Sequence, residues 1–412
     1  MHFDNSSPNL PVVLGDPSIS NLNEAGRYYL DYYNGHICKL FIVYDSEENP
    51  FRSLIALALE DSILLQSVLA LAACHKANTG RSFHQSEMTR SVETIKAQQD
   101  ALSFKCRAMK ELSGALHEAI LHRRDSTVAS IFLLIFLDLL ESGSDRWNFH
   151  LEGAKRLMSS FQVSAQPQNG ISQDPGEQIE TLGATFVRPK LISQYSSSVY
   201  PDISLQETVE RSFLGCPGYL LNAIQFFSLK RDIIASSEPF DQGTLTDHIQ
   251  DTDRMLESIR NFDYYAWVSS LPQSHHSPER DVSRLCILSE SYKTGALLYG
   301  ERVLDAFAQR TTAQDDLVCK LIGLIGILKD DRTLLKCALW PICIAGLECR
   351  WQAQRDFLIG CLEKFWEDTS CLNVINAAKV LQTYWRQIDG QGGDSSQWIF
   401  TIGCLGADWL LI

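Results

Sequence analysis

Apolar residues recur along most of the chain at the three-and-four spacing that gives a helix one buried stripe. Over residues 93–121 the stripe is Ala101, Phe104, Ala108, Leu112 and Leu116, with polar positions between them that keep one face wet. The text from Glu24, EAGRYYLDYYNGHICKLF, is helical as well. Ile63 to Cys74 is almost uniformly apolar, as a helix covered on most sides requires. Val128 to Leu140 (VASIFLLIFLDLL) is the most apolar run. It is shorter than the roughly 18 residues of a membrane span and carries Asp138, so it predicts a buried core helix. Asp125-Ser126 is expected to cap that helix, Gly143 to end it, and Asp145 to cap the next, RWNFHLEGAKRLMSSF. Helical text resumes near Gln206 and continues to the segment LNVINAAKVLQTYWRQID. The apolar end, WIFTIGCLGADWLLI, is expected to pack back on the body. No alternating run is long enough for a useful strand. The fold class is therefore all-α, a single large multi-helix domain.

Breaks in the pattern organise the chain. Residues 1–22 are polar and Pro-containing, a flexible leader before a domain spanning 23–412. Residues 162–205 turn to Gln, Ser, Pro and Gly and predict a long mobile insertion. Polar loops follow at 270–281 and 389–397. Asn49 to Arg52 (NPFR) reads as a turn, because Pro50 biases Asn49 away from helix. With 24 Gly and 13 Pro in 412 residues, the chain favours long helices over many turns. No 34- or 40-residue repeat is present.

Charge narrows the function classes. Lys+Arg total 36 and Asp+Glu 50, giving a net charge of −14. A surface that wraps nucleic acid needs a basic stripe to release counterions, so a DNA-binding module standing alone is excluded. The first twenty residues have neither a basic nor an apolar region of secretory type. Twelve cysteines lie mostly in apolar helical text, and no C-x-x-C pair occurs. Cys337, Cys343 and Cys349 recur every six residues. On one helix that spacing turns successive thiols by about 120° and prevents convergence on one ion. They read as buried thiols of a reduced, intracellular protein.

Templates for chemistry fail. The phosphate loops G-x-x-x-x-G-K-[ST] and G-x-G-x-x-G are absent, and GLIGIL (Gly323 to Leu328) sits in helical text. The G-x-S-x-G elbow is absent. HEAILH (His117 to His122) has one residue too many for H-E-x-x-H, which places its imidazoles about 140° apart on a helix. Asp315-Asp316 and Asp330-Asp331 lack the further carboxylate of a magnesium motif and read as helix starts. The pair His275-His276 lies in a polar loop. In WNFHLEGA, Trp147, His150 and Ala154 share one helix face, and a packing role is favoured over a catalytic one. No catalytic residue, metal or cofactor is assigned.

Five segments, in order, resemble the fungal-specific transcription factor regulatory domain. NPFRSLIALALEDSILLQSVLALAACHKA carries Asn49, Pro50, Phe51, Arg52 and His75. QQDALSFKCRAMKELSGAL follows at Gln98 to Leu116. RWNFHLEGAKRLM carries Trp147, His150, Leu151 and Gly153. LWPICIAGLECR carries Trp340, Pro341, Gly346 and Glu348, and AAKVLQTYWRQID carries Trp385. The resemblance implies a regulatory module of a fungal metabolic pathway, not an enzyme, acting in the nucleus. Its implied partners are other transcription regulators or coactivators, with a small-molecule effector as a further candidate. The family's six-cysteine zinc cluster has no counterpart in these residues, so direct DNA binding by them is not expected. The alternative is a metabolite-binding protein or enzyme that kept the fold, with Trp147, His150 and Glu152 the first residues to test.

Overall fold

In the computed structural model, residues 22–46, 49–84, 91–117, 124–141, 215–236, 241–271, 281–391 and 398–401 are described. They are helical throughout, with no strand among them. Helix α1 (Glu24–Tyr32) runs through a π-helical turn, Tyr33–Ile37, into a last turn at Cys38–Leu40. Then come α2 (Pro50–Glu60), α3 (Ser62–Asn78), α4 (Val92–His117) and α5 (Arg124–Glu141). After residue 214 follow α6 (Gly218–Ala235), α7 (Gln242–Asn261), α8 (Tyr264–Ser270) and α9 (Val282–Phe307). The last are α10 (Asp315–Leu328), α11 (Arg332–Leu335), α12 (Leu339–Glu348), α13 (Gln352–Thr369), α14 (Leu372–Gln391) and α15 (Trp398–Thr401).

Two helices act as hubs. Helix α3 packs against α1, α2, α4 and α5, and α9 packs against α6, α7, α8, α10 and α12. Helix α14 touches both α12 and α5 and so joins the two groups, and one continuous apolar core results. The uniform text of α3 is accounted for by this position, since Val68 to Ala73 are all buried and no face is left for water. Helix α4 buries the expected line of Ala101, Phe104, Ala108 and Leu112. Helix α5 buries Val128 to Leu140 without a break, Asp138 included. No helix among the described residues is long and apolar enough to cross a membrane.

Several local expectations are corrected. NPFR is not a turn as a whole. Only Asn49 is non-helical, with φ −58° and ψ 117°, and Pro50 opens α2 at the position where a missing N–H costs nothing. Helix α5 already includes Asp125 and Ser126, so neither stands outside it as a cap. The three cysteines do not share a helix: Cys337 lies in the turn after α11, Cys343 inside α12, and Cys349 just beyond it. All three are nonetheless buried. Asp315 does start α10, and Asp331 caps α11 by accepting from the Thr333 and Leu334 amides. Residues 389–391, read as loop, end α14. The leader up to residue 21, the 162–205 insertion, Gly143, Asp145, His122, His275-His276 and the terminal WLLI lie outside the described residues.

Candidate functional site

The motif residues fall into three ties that join parts of the chain distant in sequence. The first surrounds Asn49, which is fully buried. Its Oδ1 accepts from the Phe51 amide at 2.9 Å, and its Nδ2 donates to the Cys38 carbonyl and to Asp45 Oδ1, both at 2.8 Å. Arg52 forks onto Asp45 (2.6 Å from Nη2) and reaches the Asn34 carbonyl and side chain. Phe51 meets Phe41 and Phe136 across the core. The N-P-F-R sequence thus caps α2, closes the loop behind α1, and drives one aromatic inward.

The second tie is His75 near the end of α3. The Tyr32 hydroxyl lies 2.9 Å from its Nδ1, and its Nε2 lies 3.1 Å from the Thr369 carbonyl at the end of α13. Burial penalises the imidazolium and lowers the His75 pKa to about 4, so the ring is neutral at physiological pH. A neutral imidazole bonded on both sides donates from one nitrogen only. Donation to the Thr369 carbonyl requires Nε2–H and leaves Nδ1 to accept from Tyr32. One turn on, Asn78 Nδ2 donates to the carbonyls of Leu140 and Ser370, at 2.8 and 3.1 Å.

The third tie is the most heavily charged. Arg302 in α9 is 1% exposed and Glu348 at the end of α12 is 4% exposed. Arg302 Nε and Nη2 donate to the two Glu348 oxygens at 2.7 and 2.6 Å, a bidentate fork. Trp398 Nε1 donates to Glu348 Oε1 at 2.6 Å, which seats α15 on the body. The remaining Arg302 nitrogen reaches the Thr312 carbonyl at 2.8 Å and Asp305 Oδ2 at 3.3 Å. Asp305 in turn accepts from the Thr312 amide and hydroxyl and from Arg310 Nε. Burial works against the Arg302 charge, but the hydrogen bonds and charge of Glu348 outweigh it and raise the pKa. A carboxylate with three donors and a guanidinium whose three nitrogens all donate are held in position and buried away from solvent.

Beside this clasp, Trp385 Nε1 donates to the Gly346 carbonyl at 2.8 Å. A Cβ at Gly346 would stand 2.7 Å from Leu381, so any larger residue would force the Leu381 side chain to shift between α12 and α14. Trp340 belongs to the same LWPICIAGLECR segment as Gly346. It is half-buried, stacked on Tyr292 at 5.8 Å and lying over Gly295, where a Cβ would meet it at 2.7 Å. Pro341 is buried in the first turn of α12. Trp147, His150, Leu151, Glu152 and Gly153 lie outside the described residues.

Sequence reasoning passed over Arg302, Asp305, Asn78 and Trp398. A signal for the first two existed: an Arg and an Asp three residues apart, on one helix face, fall within the largely apolar end of α9 (YGERVLDAF). Burial also pushes up the thiols of Cys38, Cys343 and Cys349, each to about 12, which makes them poor nucleophiles. Among the described residues no group of three or more His, Cys, Asp or Glu is placed to hold a metal ion. A small cavity of about 20 Å³ lies between Phe41, Leu139, Phe365, Thr369, Cys371 and Asn373, room for about one water.

The family model described as fungal specific transcription factor domain matches residues 28–412. The chain belongs to that family, and its class is transcriptional regulator. The acriflavine sensitivity control protein acr-2 of Neurospora crassa is 26% identical over 415 aligned residues, covering 95% of this chain and 68% of the relative. No solved structure matches.

Proposed function

We propose that these residues form the regulatory and effector part of a fungal metabolic regulator, and that DNA is read by something other than this helical body. The observation that carries the reading is the pairing of the family's motifs with a net charge of −14. A body of that sign repels phosphate, and its cysteines are spread singly rather than paired as C-x-x-C. On this reading the protein works in the nucleus, contacts other transcription regulators or coactivators, and performs no catalysis. The relative's name, acriflavine sensitivity control protein, is consistent with a controlling role.

Transcript profiling of a strain lacking this gene tests the proposal. The expected result is a coherent change in a small group of metabolic genes, restored by the full-length coding sequence. An unchanged transcript profile, with a pathway intermediate accumulating instead, would favour an enzyme and overturn the reading.

A further inference from the structure

Helix α4 buries one line of side chains and leaves a second apolar line uncovered. Ile95, Leu102 and Met109 are exposed and recur every seven residues. Seven residues fall only about 20° short of two full turns, so the three form one stripe along the helix. Val92, which is 84% exposed, and the exposed Cys106 extend the stripe at spacings of three and four. From Val92 to Met109 it runs about 26 Å at 1.5 Å per residue. The buried line of Ala101, Phe104 and Ala108 lies about 130° away around the helix. Large aliphatic side chains in the seam pattern of a coiled coil, on a helix already anchored by its other face, form a ready surface for a partner helix.

Charge selects the occupant. Lys96 and Lys110 are exposed and border the stripe on one side, a local basic rim on a chain of net charge −14. A second copy fits this rim badly. Antiparallel self-pairing would bring Lys96 of one copy toward Lys110 of the other, while pressing together two bodies of the same net sign. We infer that the outer face of α4 is a docking surface for an amphipathic helix of another protein, with aliphatic residues at three-and-four spacing and an acidic border. The surface stands on geometry and charge and does not depend on the regulatory role proposed above.

The test uses the full chain and a fluorescein-labelled peptide of about 18 residues, with leucines at helical spacing and glutamates flanking them. A control peptide carries lysine at each glutamate position. Fluorescence anisotropy is expected to show the acidic peptide binding and the basic one weaker by about tenfold. Leu102→Asp should abolish binding, and circular dichroism checks that this exposed substitution leaves the helices intact. The pair Lys96→Glu and Lys110→Glu should weaken the acidic peptide, strengthen the basic one and remove the salt dependence. Labelling by a small thiol reagent, read at Cys106 by peptide mass mapping, should proceed in the free protein and slow when the acidic peptide is present. The inference is overturned by equal binding of the two peptides or by unchanged binding to the Leu102→Asp protein. A Cys106 that refuses the reagent would mean the chain covers its own face. A dimer in sedimentation that Leu102→Asp dissociates would assign the face to a second copy. Either result also overturns it.

Discussion

His75 shows how much one side chain can decide. It is a histidine inside an apolar helix, and the resemblance singled it out. Its partners could not be read from sequence, because Tyr32 and Thr369 lie 43 and 294 residues away. Its pKa in the folded protein, about 4, lies below the ordinary histidine value of 6.5. As pH falls from 6.5 toward 4, the unfolded chain takes up a proton that the folded chain refuses. Stability is therefore complete above about pH 6.5 and declines through this window, by about 3 kcal/mol in total. Urea melts at pH 7 and pH 4.5 should show the decline, and a His75→Gln protein should lack this share of it. Glu348 tells a similar story: the motif marks it, while Arg302 at a separation of 46 residues and Trp398 at 50 emerge only when α9, α12 and α15 come together.

At the scale of elements, legibility followed the strength of the periodic signal. Helices α3, α4 and α5 lie where the apolar spacing puts them, because long periodic stretches leave the backbone one way to bury its stripe. Short-range signals misled where the tertiary structure supplied the deciding bond. Asn49 caps α2 through a side chain also held by Cys38 and Asp45, so the helix begins at the proline itself. Cys337 and Cys349 fell outside the helix that their six-residue spacing suggested, yet each is buried. Elements α9, α12 and α15 are locked by the Arg302–Glu348 pair. Removing one member of such a buried pair strands the other charge, so Glu348→Ala should cost about 3–5 kcal/mol. Replacing both, Arg302→Met with Glu348→Leu, should recover part of that loss, since this pair's desolvation penalty disappears while Asp305 keeps Arg310 and Thr312 as partners and the Trp398 N–H loses its acceptor. Chemical denaturation of the wild type, single and double variants measures the difference.

For the molecule as a whole, the all-α fold was legible from pattern alone, and the net charge of −14 is what motivates the proposal that DNA is read elsewhere. The family was legible because five motifs occur in order, though each by itself is ordinary core packing. The structure gives that packing its meaning: the motif residues that are described form ties that fix one helix to another across the chain. On the function proposed above, such a body would transmit or restrain through its surfaces. The most direct test fuses the 412 residues to an unrelated DNA-binding domain and measures transcription of a reporter carrying its site in a fungal host. The account predicts that the fusion raises or lowers the reporter relative to the DNA-binding domain alone, and that Glu348→Ala abolishes the change. A folded, nuclear fusion that leaves the reporter at the level of the DNA-binding domain alone would contradict it.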